Sequence, residues 1–441
     1  MSSKASLPLV EHFRNAGWMP ISREVLKKWL ADCLKETARH KGPFIHPVEV
    51  FKTFIENDGE MYMGFHRMFE GATAPFVSPV HSILPSLTAH RPSKPTDYMQ
   101  LLSLFNKIIQ EAPSYGDLGP PIYMIISQAM DNEGGFTTFL STELNKHFKE
   151  MFKYWAKYLS SLDSRKVLHS GPGGWFSEPA ITEMEKHFDG LTFDQTFECN
   201  PKAPFKGYTS WDDFFNRTFR PNVRTVDAPH LPNIINGACE SKLYNIARDV
   251  EERATFWLKG EPYSLMHMLN HDPDYSEQFK GGTVFQGFLE VTGYHRWHSP
   301  VTGTIKKIVQ VQGTYFVQSP ALLGEPSMLD DSDLPPFLRS LAFITAITTR
   351  ALIFIESDNP LIGLMCFIAI GMTEISTCQV TVEENTRITK GDQLGMFHFG
   401  GSSHCLVFGP KVNIMFFDEY NKPGDHVRVR AAIAGVSERP A

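Results

Sequence analysis

Residues 395–409, GMFHFGGSSHCLVFG, contain two apolar runs, 396–399 and 405–408, with four of the smallest residues between them. Aromatic-rich runs of this length are typical of β-strands, and glycine and serine between two of them are typical of a turn. The simplest interpretation is a β-hairpin. The alternative is that the backbone must be bare at Gly401 and Ser402 because a reaction takes place on it.

Other short runs of β type surround this stretch. From about residue 207 onward, glycine interrupts a series of them, which includes TVFQGFLEVTG, ALIFIES, QVTVEE, VNIMFF and VRVRAAIAG. Short runs rich in β-branched and aromatic residues, bounded by turn residues, indicate strands. The sequence therefore predicts a strand-rich C-terminal part.

The first part of the chain favours helices. Residues 142–162 place apolar side chains at three- to four-residue spacing behind two possible N-caps, Ser141 and Thr142. Residues 23–37 and 98–111 show the same periodicity more weakly, and the proline- and serine-rich segment 78–95 is predicted to be a linker or an irregular loop. The predicted fold class is α+β, with a helical N-terminal region joined to a strand-rich domain.

The composition limits the partners and the location of the protein. Of 441 residues, 42% are apolar and 21% are charged, and the formal net charge is −7. Lysine and arginine form no run interleaved with aromatic residues, so we expect no nucleic-acid partner. The densest apolar run, 360–372, is shorter than the roughly 18 to 20 residues of a spanning helix, and the N-terminus lacks a signal-peptide core. With six widely spaced cysteines, we expect a cytoplasmic protein without integral membrane association.

Common signatures of phosphate binding and of serine hydrolases do not match. The chain has no G-x-x-x-x-G-K-[ST] loop, and GPGGWF at residues 171–176 lacks the spacing of a dinucleotide-binding loop. The G-x-S-x-G elbow fails because His404 stands two residues after Ser402, where that motif has glycine. We therefore expect neither a phosphate-cradling loop nor an α/β-hydrolase.

Two histidines in GYHRWHSPVTG, residues 293–303, are the next candidates for chemistry. His295 and His298 are three residues apart, a spacing that metal ligands can have, but no cysteine, aspartate or glutamate nearby supplies a third ligand. We expect no metal. The remaining alternatives are two structural histidines satisfied by hydrogen bonds, or catalytic groups.

A carboxylate in NGACESKLYN, residues 236–245, could complete a catalytic set. Glu240 stands among small residues just before a strand-like run. Most isolated carboxylates are solvated surface groups, but a carboxylate can orient a histidine that activates a serine, and such residues can be far apart in sequence. The sequence alone leaves both interpretations of Glu240 open.

Three ordered motifs resemble one known family. YTSWDDFFNRTFRP (208–221), YHRWHSP (294–300) and KGDQLGMFHFGGSS (390–403) are similar to motifs of the pyruvoyl-dependent phosphatidylserine decarboxylases. With YGDLGPPIYMI (115–125) and the helical N-terminal part included, the chain is more similar to the fungal L-tryptophan decarboxylases of that family, which lack a membrane anchor.

The resemblance implies a self-cleaving zymogen. The Ser402 hydroxyl would attack the Gly401 carbonyl to form an ester, and β-elimination would then break this ester. Ser402 would become an N-terminal pyruvoyl group, with a β chain of residues 1–401 and an α chain of residues 402–441. A glycine would ease this attack in a strained turn. The implied fold is a helical region, 1–205, packed on a barrel-sandwich, lipoyl-like catalytic domain, 206–441. The covalent pyruvoyl would replace pyridoxal phosphate as the electron sink.

The resemblance also implies roles for the candidate residues. His298 corresponds to the base that takes the Ser402 proton, and Glu240 stands where the family has an orienting aspartate. His295 is the candidate proton donor to the substrate Cα. The function implied is decarboxylation of an aromatic amino acid, L-tryptophan to tryptamine plus CO2. The alternatives are a phosphatidylserine decarboxylase acting on lipid and a binding or scaffold protein with a decayed site.

Overall fold

The computed structural model describes nine parts of the chain, namely residues 9–20, 22–39, 42–73, 94–116, 119–254, 263–322, 336–374, 377–399 and 401–438. Of the predicted linker 78–95, all but residues 94 and 95 lie outside the described residues.

Helices dominate the first half. They are α1 (Leu9–Asn15), α2 (Arg23–Thr37), α3 (His46–Asn57), α4 (Gly59–Thr73), α5 (Tyr98–Ile108), α6 (Pro121–Met130), α7 (Glu133–Phe139), α8 (Thr142–Leu159), α9 (Glu178–Glu185), α10 (Phe193–Thr196) and α11 (Trp211–Phe215). The Ser141 hydroxyl accepts a hydrogen bond from Leu144 N at 3.3 Å, so it caps α8 as the sequence predicts. Short helices α12 (Leu265–Met268), α13 (Pro273–Phe279), α14 (Pro336–Arg339) and α15 (Leu341–Ile347) lie between later strands.

Strands dominate the second half. They are β1 (Ile234–Asn236), β2 (Ser241–Val250), β3 (Gly282–Phe288), β4 (Arg296–His298), β5 (Gly303–Val311), β6 (Arg350–Ser357), β7 (Leu364–Met372), β8 (Cys378–Val380), β9 (Arg387–Ile388), β10 (Gln393–Phe397), β11 (Gly401–Phe408), β12 (Asn413–Phe416), β13 (His426–Val427) and β14 (Ala432–Ser437).

These strands form one large sheet and two small ones. The large sheet has eight antiparallel strands in the order β13-β2-β3-β11-β7-β6-β5-β9, and the small sheets have the orders β1-β14-β12 and β4-β10-β8. The strand β11 is therefore an interior strand, paired with β3 and β7 on its two sides.

The hairpin interpretation of residues 395–409 is wrong. The strand β10 pairs with β4 and β8 in a small sheet, whereas β11 belongs to the large sheet. The glycine-rich stretch thus connects two sheets. The turn expected at Gly401 and Ser402 is wrong as well, because both residues lie in β11, opposite Met372 and Gly371 of β7.

Apolar cores lie on both faces of the large sheet. On one face, Val407 and Phe288 belong to a core that also contains Phe148 and Trp155 of the helical region, and the rings of Phe13 and Phe288 stack with centroids 4.0 Å apart. On the other face, the small sheets cover a second core. Its members include Leu406, Phe408, Phe367, Trp297, Phe397 and Ile433.

The α+β prediction, a helical region packed on a layered strand-rich domain, is confirmed. The division between residues 205 and 206 stays a proposal, because the first core joins side chains from both parts. Among the described residues, no helix is both long and apolar enough to span a bilayer.

Candidate active site

Ser402 is a fully buried residue of β11. Its carbonyl oxygen accepts a hydrogen bond of 3.0 Å from the backbone N–H of Leu289, which directly follows β3. Its hydroxyl has no hydrogen-bond partner among the described residues. A buried hydroxyl normally has a partner, so this serine is distinguished from an ordinary structural one.

His298 is buried, and both of its ring nitrogens are already occupied. Its Nε2 is 2.9 Å from the Tyr294 hydroxyl, and its Nδ1 is 2.8 Å from the Gly391 carbonyl oxygen. One tautomer satisfies both contacts, with Nδ1–H donating to Gly391 and Nε2 accepting from Tyr294. Burial lowers the pKa of His298 to about 3, and the nearby charge of Arg430 acts in the same direction. No hydrogen bond joins His298 to Ser402 in the described part of the chain.

His295 precedes β4 and occupies a different setting. Its ring stacks on Phe215 with centroids 3.9 Å apart, and its Nδ1 has no hydrogen-bond partner among the described residues. The ring of Phe399, two residues before Gly401, lies 5.8 Å from the same Phe215 ring. Burial lowers the pKa of His295 to about 3, reinforced by the charge of Arg217.

Glu240 is a buried carboxylate in an ion-pair network. Arg224 donates to its two oxygens at 2.5 and 3.0 Å, His426 Nε2 is 2.8 Å from Oε1, and Val429 N donates to Oε2 at 3.0 Å. Burial raises the pKa of Glu240, but His426 and Arg224 outweigh it and lower the pKa to about 2. The surface interpretation of Glu240 is therefore wrong.

Glu240 reaches His298 only through other residues. Glu240 binds the backbone of Val429, and Arg430 is the next residue. The Nη2 atom of Arg430 lies 3.2 Å from His298 Nδ1 and donates to the Gly391 carbonyl at 3.0 Å. The structure thus places Glu240 and His298 in one network, and it leaves Ser402 outside that network.

His404 is a buried residue that the sequence analysis did not identify as a candidate site residue. Because side chains alternate along a strand, His404 lies on the same face of β11 as Ser402. Its ring lies beside Gly287, where an added Cβ would be 2.8 Å from the ring Cε1. Neither ring nitrogen makes a hydrogen bond of normal geometry within the described residues, and burial lowers the pKa of His404 to about 3. The two-residue spacing of Ser402 and His404 in a predicted strand could have indicated that both side chains lie on one face.

A cavity of about 210 Å³, which we call the Phe399 cavity, lies beside the start of β11. Its lining includes Phe399 and Val291 from the strand-rich part and Tyr115 and Trp175 from the helical part. A larger cavity of about 770 Å³ is lined only by residues between Glu36 and Glu111, so it belongs to the helical region.

The described residues contain no group of three or more histidine, cysteine, aspartate or glutamate side chains that could hold a metal ion. His295 and His298 do not converge either, because one stacks on Phe215 and the other binds Tyr294 and Gly391.

Comparisons with known proteins agree with the sequence motifs. The phosphatidylserine decarboxylase family model matches residues 211–435, and a second model with this description matches residues 45–184. An L-tryptophan decarboxylase of Psilocybe cubensis is 41% identical over 443 residues, covering 97% of this chain and 96% of that protein. The chain belongs to the phosphatidylserine decarboxylase family.

Other members of the family differ in what their names describe. A protein named decarboxylase iboD, from Amanita muscaria, is 45% identical over 72% of this chain and 91% of its own length. Phosphatidylserine decarboxylase proenzyme 3 of Schizosaccharomyces pombe is 29% identical over 49% of this chain and 20% of its own length. The family resemblance is confirmed, and the chain is a carboxy-lyase, so the alternative of a scaffold protein is wrong.

Proposed function

We propose that this decarboxylase cuts itself between Gly401 and Ser402, converts Ser402 to a pyruvoyl group, and decarboxylates an aromatic L-amino acid, L-tryptophan first, to give tryptamine and CO2. The observation that carries the proposal is the buried Ser402 hydroxyl, which has no hydrogen-bond partner among the described residues although it lies in the interior of a sheet. The near full-length similarity to an L-tryptophan decarboxylase supports the choice of substrate.

The hydrogen bond between Leu289 and Ser402 supports a role in the second half of the reaction. A pyruvoyl group at position 402 would withdraw electrons from the substrate into its adjacent amide carbonyl. That carbonyl is the one that accepts the Leu289 N–H at 3.0 Å. A backbone donor fixed on an oxygen where negative charge develops is the usual means of stabilising such a charge.

The proton transfers are assigned to the two histidines of the YHRWHSP motif. His298 would accept the Ser402 proton after exchanging its hydrogen bond with Tyr294 for one with Ser402, and burial keeps its ring in the neutral form that can accept a proton. His295, whose Nδ1 lacks a partner among the described residues, would reprotonate the substrate Cα from its neutral ring, in the tautomer that carries its proton on Nδ1. Glu240 would act as a positioning residue, through the network that includes Arg430.

We also propose that the active protein consists of its own α and β chains and is cytoplasmic. The six cysteines are free thiols, five of them buried, as in a reducing compartment. A free amino acid is the proposed partner, and no nucleic acid is part of the proposal.

The decisive experiment compares the parent protein with Ser402→Ala. The parent is expected to give two chains on a denaturing gel, a pyruvoyl mass at residue 402, and tryptamine from L-tryptophan. Ser402→Ala is expected to give one uncut chain without activity. CO2 release from phosphatidylserine liposomes, without release from L-tryptophan, would favour the lipid enzyme, and an active uncut parent would contradict the pyruvoyl mechanism.

A further inference from the structure

The Phe399 cavity borders two segments that lie next to residue 402. Phe399 lies three residues before Ser402, and Val291 and Thr292 follow Leu289, whose N–H binds the Ser402 carbonyl. The Ser402 side chain is on the face of β11 that carries Leu406 and the second core, whereas Phe399 belongs to the first core. A substrate joined to a pyruvoyl group at residue 402 would therefore reach this cavity past the end of the strand at residue 401.

Aromatic residues from both parts of the protein form the cavity wall. Tyr115 and Trp175 meet edge to face with ring centroids 5.7 Å apart, and the Trp175 indole N–H donates to the Pro113 carbonyl at 2.7 Å, which fixes the indole in place. Behind the wall, Trp211 meets both Trp175 and Phe399 edge to face, with ring centroids 5.7 and 4.7 Å apart. Aromatic rings favour such edge-to-face neighbours, so a further aromatic ring suits this wall.

A long-range cap holds the helical wall in position. The Glu374 carboxylate accepts hydrogen bonds from Ile122 N at 3.0 Å and Tyr123 N at 3.1 Å, so it caps the start of α6. Glu374 is fully buried. Its bonds anchor the chain immediately after Pro120, which lines the cavity.

The same cap is connected to the proposed cleavage site. Glu374 stands two residues after Met372, the last residue of β7, and Met372 lies opposite Gly401 in the sheet. The segment 372–374 therefore links the helical wall to the residue that lies opposite Gly401.

We propose that the Phe399 cavity holds the aromatic side chain of an amino-acid substrate, and that Tyr115 and Val291 determine which side chain fits. The inference rests on the proposed function, because it requires the reacting group at residue 402. The volume of the cavity, about 210 Å³, is sufficient for one aromatic side chain.

The test changes the two sides of the cavity separately in the full chain. Val291→Phe reduces the space, Val291→Ile reduces it less, and Tyr115→Ala removes part of the helical wall. After normal self-cleavage, Val291→Phe and Tyr115→Ala are expected to raise the KM for L-tryptophan by about tenfold, equivalent to about 1.4 kcal/mol of binding, with little change in kcat. Val291→Ile is expected to raise it by a smaller factor.

Two surface substitutions are matched controls. Val50 of α3 and Tyr154 of α8 are each 40% exposed and do not line the cavity. Val50→Phe and Tyr154→Ala are expected to keep the KM within about twofold of the parent value.

The outcomes separate this inference from the proposed function. A parent that stays uncut, or that makes no tryptamine, contradicts the proposed function itself. Cleaved Val291→Phe and Tyr115→Ala proteins with parental KM overturn the assignment of the cavity. If both lose self-cleavage or cooperative thermal unfolding, these side chains are structural, and the assignment is overturned as well.

Discussion

Arg224 donates two hydrogen bonds, of 2.5 and 3.0 Å, to the carboxylate of Glu240, and both side chains are more than nine-tenths buried. A buried pair of this kind is costly to break, because the partner that remains is a charge without compensation. Glu240 also binds His426 and the backbone N–H of Val429, so the pair is attached to the segment 426–430. Arg430, in this segment, lies next to His298.

Glu240→Gln is therefore expected to destabilise the protein by about 3 kcal/mol, since it leaves the Arg224 charge buried. Thermal unfolding measures the change. Glu143→Gln is the matched control, because Glu143 pairs with Lys146 on the surface and exposed pairs contribute about 0.5 kcal/mol. Equal stability of the two variants would contradict the prediction, and normal self-cleavage in Glu240→Gln would assign the orienting role to another carboxylate.

Three buried histidines are expected to lower stability as the pH drops from about 7 to about 5, whereas Glu374 and Asp131, whose pKa values burial raises to about 7, act in the opposite direction. The folded-state pKa values of His295, His298 and His404 are each lowered to about 3, so between pH 6.5 and 3 the unfolded chain binds protons that the folded chain does not. Their contribution is fully present above pH 6.5 and decreases below it, by up to about 1.4 kcal/mol per pH unit for each histidine. Urea unfolding of the parent and of His404→Leu at the two pH values measures the contribution of one of these histidines, and an equal change of the midpoint in the two proteins would refute the prediction.

The lowered pKa of Glu240 adds a second transition at lower pH. A carboxylate with a folded-state pKa of about 2 contributes stability above its usual value of 4.5, and this contribution is lost as the pH falls toward 2. In Glu240→Gln, the slope of stability against pH below about 4.5 is expected to be smaller than in the parent.

His404→Leu is expected to stabilise the protein by about 1 kcal/mol or more, because it replaces a buried ring without normal hydrogen bonds by an apolar side chain. The same variant should lose less stability between about pH 7 and about pH 5. His230→Leu, at an exposed histidine, is the control and should leave both quantities near the parent values. A destabilised His404→Leu protein would show that the ring has a partner in solution.

Glu374→Ala is expected to cost about 1 to 2 kcal/mol, because it leaves the amides of Ile122 and Tyr123 without their acceptor. It should also raise the KM for L-tryptophan, since the wall of the Phe399 cavity loses its anchor. Asn132→Ala removes a comparable cap from α7, where Asn132 accepts from Gly135 N at 2.9 Å, and should lower stability without changing the KM. If the KM rose equally in both variants, the cause would be a general loss of stability and not the loss of the Glu374 cap.

The helices could be predicted well from the sequence. The bounds of α2, Arg23–Thr37, coincide with the predicted 23–37, and α8 begins after the predicted cap Ser141. These signals are local, since a helix is decided by spacing and capping within a few turns. The pairing of strands is not local. The partners of β11 are β3 and β7, which no pattern within residues 395–409 could reveal.

The candidate site shows the same division. Motifs brought Ser402, His295 and His298 together as candidates, whereas the bonds of His298 to Tyr294 and Gly391 depend on packing between distant segments. Strand alternation could have placed His404 on the face of Ser402, but its missing hydrogen bonds could be recognised only from coordinates.

The interior position of β11 has a consequence for refolding. A cut before Ser402 would separate the polypeptide that contains β11, β12, β13 and β14. Three of these strands, β11, β13 and β14, are paired with β1, β2, β3 and β7 of the other polypeptide. The intact precursor can assemble these sheets in a unimolecular reaction. Once the cut protein is denatured, the two polypeptides must first find each other, so the yield of renatured enzyme should depend on protein concentration. Maturation would thus turn a unimolecular folding reaction into a bimolecular one.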